Sequence, residues 1–144
     1  MSIKYVVACD GSPASGRAVA FAIDHARSNG GSVLLAHVLE WSPYSFLTPD
    51  ELEERHKRRG EELARAKTAL VDPILASIPT DGVEIDSVIK YGHVAETLAD
   101  IANEAGATQL VIGRTGESSI KVRVFGSVAG TLAQIAPVPC IIVP

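Results

Sequence analysis

The residues best placed to do chemistry form one spaced pattern. Gly113-Arg114-Thr115-Gly116 is followed by nine residues and then by Gly126-Ser127. Glycine is the residue used where backbone must approach a ligand closely or adopt positive φ. Amides in such a loop can converge on an anion, and a helix opening at Ser127 would add its positive dipole end. Ser127 offers both a hydroxyl and an amide, and Arg114, Lys121 and Arg123 make the stretch locally basic in an acidic chain. The chemistry these features describe is the cradling of phosphate.

A second candidate lies near the N-terminus, where a short apolar run, Lys4 to Cys9, ends at Asp10-Gly11-Ser12-Pro13. Ser12 can cap a helix, and Pro13 suits a first helical position because its missing N–H is not needed there. Gly11 to Gly16 occupies the position of a P-loop, after a strand and at the start of a helix. Arg17-Ala18 follows, where that motif needs Lys and then Ser or Thr for phosphate charge and magnesium. No Gly-x-Ser-x-Gly elbow supplies a hydrolase nucleophile. His25, His37, His56 and His93 have no metal-ligand spacing. Cys9 and Cys140 are far apart and read as buried thiols.

These residues need a scaffold, and the chain alternates β-rich runs with helical patterns, the signature of a parallel α/β sheet. The expected strands are Lys4 to Cys9, Ser32 to Val38, Glu84 to Lys90, Gln109 to Ile112 and Pro139 to Val143. The expected first helix opens at Ser12-Pro13 and closes at Asn29-Gly30-Gly31. A second follows the capping box Thr48-Pro49-Asp50-Glu51 and runs to about Ser77, with a break near Pro73. The third carries Ala95, Leu98, Ala99 and Ala102 and closes at Gly106. The fourth starts near Ser127 and ends before Pro137. A doubly wound five-stranded sheet of this kind commonly has order 2-1-3-4-5 or 3-2-1-4-5. Trp41, Tyr44 and Phe46 gather in the loop after the second strand, where a lid or a partner surface would sit.

Composition excludes several function classes. The 144 residues make one domain, 1–144, long enough to bury a core without disulfides or a structural metal. A net charge of −4 argues against a nucleic-acid partner. No apolar run reaches the ~18–20 residues of a membrane span, and Met1 to Tyr5 lacks a signal-peptide layout. The expectation is a cytoplasmic protein.

The pattern Gly-x-x-Gly, nine residues, Gly-Ser resembles the ATP-binding motif of the universal stress protein family. Asp10-Gly11-Ser12, Ala36-His37-Val38 and the closing Ala136-Pro137-Val138-Pro139-Cys140-Ile141-Ile142-Val143-Pro144 agree with it, so the resemblance covers essentially the whole chain. It implies strand order 3-2-1-4-5, which puts the Asp10 and Gly113 turns together at the switch point between strands one and four. It implies ATP, with Mg²⁺, as cofactor. Ala8 and Cys9 would line the base pocket, Asp10 would hydrogen-bond near the adenine or ribose, and Gly11, Ser12 and Arg114 would also belong to the nucleotide-binding set. Val38 would offer its backbone to the adenine edge. Ile112 and Gly113 would lie on the ribose side, and Gly116, Gly126, Ser127 and Val128 would hold the phosphates. It further implies a homodimer through strand 139–143 and a signalling or stress-survival role with an unidentified protein partner. Hydrolysis would be slow at most, since the residues supply no nucleophile or general base. A genuine ATPase or phosphotransferase, and an interaction module binding AMP, cyclic AMP or no nucleotide, are the alternatives.

Overall fold

The computed structural model describes residues 3–40, 49–114 and 127–144. The aromatic loop, Thr48, and Gly116 and Gly126 of the glycine pattern lie outside the described residues.

Strand β1 (Lys4–Ala8) leads into helix α1 (Pro13–Asn29), and β2 (Ser32–Glu40) precedes the long α2 (Pro49–Ala66). A π-helical turn over Lys67–Val71 joins α2 to the short α3 (Asp72–Ser77). Then follow β3 (Glu84–Gly92), α4 (Val94–Ala105), β4 (Gln109–Gly113), α5 (Ser127–Ile135) and β5 (Cys140–Val143). All pairings are parallel and the sheet order is β3-β2-β1-β4-β5, the 3-2-1-4-5 order.

The local signals explain the helix ends. Ser12 caps α1 by accepting the Ser15 amide at 3.1 Å, and Gly30 closes it in the left-handed region. Gly106 closes α4 in the same way. Each face of the sheet carries its own apolar cluster. Tyr5, Val7, Cys9, Val33, Leu35 and Val111 pack with α1 and with Val71 of the π turn. Val6, Ala36, Val38, Leu110 and Ile112 pack with residues of α4 and α5.

Several expected boundaries are corrected, among them β1, which ends at Ala8 rather than Cys9. The break near Pro73 is instead a wide turn inside a continuous helix, with the Asp72 amide donating to the Lys67 carbonyl five residues back. Proline has no N–H, and its ring crowds the carbonyl four residues earlier; a wider turn accommodates both without ending the helix. The extra residue also rotates Val71 into the core, 1% exposed, beside the half-buried stripe Leu63, Ala66, Leu70 and Ile74. Both β2 and β3 run two residues past their expected ends. Leu39 pairs with Tyr91 and Glu40 with Gly92, so each extension depends on the other and neither is a local signal. Strand β5 starts at Cys140 because Pro139 has no amide to give, though its carbonyl still accepts from Leu110 at 2.9 Å.

Candidate functional site

The turn between β1 and α1 spans only residues 9–12, and Gly16 already lies inside the helix. It closes on itself. The Asp10 carboxylate accepts the Ser12 amide at 2.9 Å, an Asx turn. The Ser15 hydroxyl accepts the Asp10 amide at 3.3 Å and donates to the Ser12 carbonyl at 3.0 Å. Gly11 sits at φ +82°, and a Cβ there would come within 2.8 Å of Leu70 Cδ1 on the π turn. The positive φ is what demands glycine there, with the flexible Leu70 side chain packed over it. A P-loop leaves its amides open to phosphate, whereas this turn spends several of its own internally. Arg17, at the P-loop lysine position, donates instead to the Pro144 carbonyl at 2.9 Å.

The neighbouring β2 holds the turn from one side. The Cys9 amide donates to the Ala36 carbonyl at 2.8 Å. The Cys9 carbonyl accepts from Nδ1 of His37 at 2.6 Å. A carbonyl only accepts, so Nδ1 carries the proton in this arrangement.

On the other side stands β4, with Val7 level with Val111. Gly113 is its last residue rather than the start of the loop, and it pairs with Val143. A Cβ on Gly113 would lie 2.9 Å from the Ala14 carbonyl carbon and 3.0 Å from the Ala14 Cβ. The first turn of α1 therefore rests on bare β4 backbone, bringing the Asp10 and Gly113 turns together at the carboxyl edge. Arg114 follows, exposed, its amide donating to the Val143 carbonyl at 2.7 Å. Helix α5 begins at Ser127, as the spacing predicts.

Ala8, Val38, Ile112 and Val128 all belong to the cluster on the α4 and α5 face. Ala8 and Val128 are half-buried there, so an apolar wall stands along that side of the edge. Cys9 does not share it: its side chain belongs to the cluster on the α1 face and is 3% exposed. Neighbouring strand residues point to opposite faces, so Ala8 and Cys9 line different surfaces. Burial pushes the Cys9 thiol above its ordinary value; the Asp10 charge adds to this, while bonds involving the Gly11 backbone and Ser15 oppose it. A thiol held protonated is a poor nucleophile at neutral pH.

Sequence reasoning did not single out Ser15, His37, Ala14 or Leu70 for this site. Ser15 had a usable signal, since a polar residue three after an N-cap serine often bonds back into the turn. The other three act through contacts between residues distant in the chain.

A family model described as the universal stress protein family matches residues 1–144. Universal stress protein YxiE of Bacillus subtilis (strain 168) is 26% identical over 154 residues, covering 97% of this chain and 97% of that protein. The structure of universal stress protein UspA from Lactobacillus plantarum superposes with a TM-score of 0.81 at 23% identity, covering 99% of this chain and 97% of that one. A universal stress protein in complex with cAMP is 26% identical with a TM-score of 0.67, covering 99% and 97%. The sheet order, the self-closed turn beside β4 and the match over the full length lead to one assignment: the chain belongs to the universal stress protein family.

Proposed function

We propose that this protein binds an adenine nucleotide, ATP with Mg²⁺, and works as a nucleotide-dependent signalling or stress-survival module with at most slow hydrolysis. The observation that carries the reading is the meeting of the Asp10 and Gly113 turns on adjacent parallel strands. Open α/β sheets bind ligands at such a switch point. The donor set suits the ligand. Ala8, Val38 and Ile112 offer an apolar surface for a base, and Asp10 stands at the end of β1 with a carboxylate suited to a ribose hydroxyl. Gly113 and Arg114 lead into the glycine-spaced stretch that ends at Gly116, Gly126 and Ser127, the residues proposed for the phosphates, with Val128 behind them. Among the described residues no three His, Cys, Asp or Glu side chains gather as a metal site. The Mg²⁺ ligands in this reading are phosphate oxygens and water.

The relative in complex with cAMP supports an adenine nucleotide and keeps a monophosphate as the second reading. Arg114, Lys121 and Arg123 favour several phosphates over one. Strand β5 is a sheet edge of four half-buried apolar residues, the kind of edge that a second copy covers, so the reading includes a homodimer through it.

Calorimetric titration with Mg-ATP, AMP and cAMP tests this, run beside Gly126→Asp, which puts a carboxylate into the phosphate position. Micromolar Mg-ATP binding, lost in a variant that still folds, is the expected result. No heat and no thermal stabilisation at millimolar nucleotide would sink the reading. Tighter binding of AMP or cAMP than of Mg-ATP would replace ATP with the monophosphate. Light scattering on the same samples should give twice the chain mass; a monomer at micromolar concentration removes the dimer.

A further inference from the structure

We infer that His37 is a positioning residue of this site, which ends the β1–β2 ladder one rung early and so reserves the Val38 backbone for the base of the nucleotide. The inference rests on the adenine-nucleotide reading above and adds to it a residue that governs which base is accepted.

In a parallel pair, a residue gives its amide to a carbonyl on the neighbouring strand. Its own carbonyl then takes the amide two residues further along that strand. Cys9 obeys the first half, donating to Ala36 at 2.8 Å. The second half would be a bond from the Val38 amide to the Cys9 carbonyl, making Cys9 and His37 a register pair. The β1–β2 register stops at Ala8 and Ala36, so that rung is not made. The Cys9 carbonyl is taken by His37 Nδ1 at 2.6 Å instead. A side chain has replaced a main-chain donor, and the side chain belongs to the residue between the two backbone groups that flank the rung.

The consequence falls on Val38. Backbone groups alternate sides along a strand, so Val38 turns both amide and carbonyl the same way as Ala36, towards β1. There β1 has ended and the chain has turned away through Asp10 and Gly11. An N–H donor and a C=O acceptor of one residue thus stand at the mouth of the site, beside the apolar wall of Ala8 and Ile112. The Watson–Crick edge of adenine carries an amino donor next to a ring-nitrogen acceptor, which such a pair matches. Guanine carries a carbonyl acceptor next to an N–H donor and meets the pair the wrong way round. If the ladder ran one rung further, the donor would be spent on Cys9 and the discrimination lost.

The test uses the full chain, amide hydrogen exchange by NMR without nucleotide, and calorimetric titration with Mg-ATP and Mg-GTP. In the wild type the Val38 amide should exchange much faster than that of Leu35 in the same strand. His37→Leu should slow it by about tenfold or more as the Cys9 carbonyl becomes available. The same variant should weaken Mg-ATP binding by about tenfold, the worth of one hydrogen bond, and narrow the preference over Mg-GTP. His37→Asn, which keeps a short side-chain N–H donor, should restore both. A merely structural histidine would leave the ATP-to-GTP ratio unchanged. A Val38 amide as slow as Leu35 in the wild type overturns the role of His37, and that measurement stands even if His37→Leu does not fold. Wild-type protein that binds no nucleotide, with a fast Val38 amide, overturns the nucleotide reading instead.

Discussion

Helices α1 and α2 follow successive strands and have similar lengths, yet they are held in opposite ways. Helix α1 buries Ala14, Ala18, Ala22 and Ala26, each 2% exposed or less. Small side chains let its backbone lie close on the central strands, near enough at Ala14 that Gly113 has no room for a Cβ. Helix α2 shows no such face among its described residues. Its described side chains are exposed or half-buried, and Arg58 and Glu54 meet at 3.5 Å in the open, where an ion pair contributes little. Near its C-terminal end it is tied to β3 by Tyr91, whose hydroxyl donates to Glu62 and whose ring lies 5.2 Å beneath the Arg59 guanidinium. Among the described residues its deep anchor is the π turn that delivers Val71 to the core and Leu70 to Gly11. The contrast teaches where precision is needed. The helix that sets the switch-point turn is packed by shape, and the described part of the helix beyond it is held near its C-terminal end by the Tyr91 tie and the π turn.

Enlarging a small residue should separate the two helices most clearly. Ala22→Leu in α1 should cost about 2–3 kcal/mol in urea denaturation, because the close-packed site cannot expand without moving the sheet. The same change at the exposed Ala64 of α2 should stay within about 0.5 kcal/mol. Comparable losses at both positions would break the comparison.

A smaller effect should follow from the cap. Ser12→Ala removes the oxygen that accepts the Ser15 amide and should cost about 1 kcal/mol. Because the capped Ser15 in turn accepts the Asp10 amide through its hydroxyl, loosening the cap loosens the Asp10 turn and nucleotide affinity should fall as well. Denaturation and titration on one sample would expose an unchanged affinity, which is the contrary result.

The smallest change in stability, and the sharpest in motion, belongs to Tyr91→Phe. Loss of one exposed hydrogen bond should move global stability by less than about 0.5 kcal/mol. Hydrogen exchange across residues 54–66 should nonetheless quicken while α1 stays protected. Equal protection of both helices in the variant would show that α2 is held by something other than this tie.

Much of the fold was legible because its signals are short-range. The cap at Ser12-Pro13 and the glycine stops at Gly30 and Gly106 need only neighbours a few residues away, and all stand where expected. Of the candidate site, the two turns that meet at the carboxyl edge, after β1 and at Gly113, were legible, and so was the start of α5 at Ser127. The site was less legible in its orientation: Ala8 and Cys9, adjacent in the chain, face opposite clusters. The extensions of β2 and β3 were missed together because Leu39 and Tyr91 become strand residues only by pairing with each other.

The sequence by itself determined the elements, their caps and the glycine spacing, because those depend on backbone preferences and hydrogen bonds that close within a turn or two. Resemblance, not periodicity, chose between the two strand orders. Tertiary structure alone decided the contacts that shape the candidate site at the edge of the sheet: Gly113 beneath Ala14, Leu70 against Gly11, and His37 on the carbonyl of Cys9. Each joins residues from different elements. Its existence depends on how strands and helices pack, which chain-local preferences do not encode.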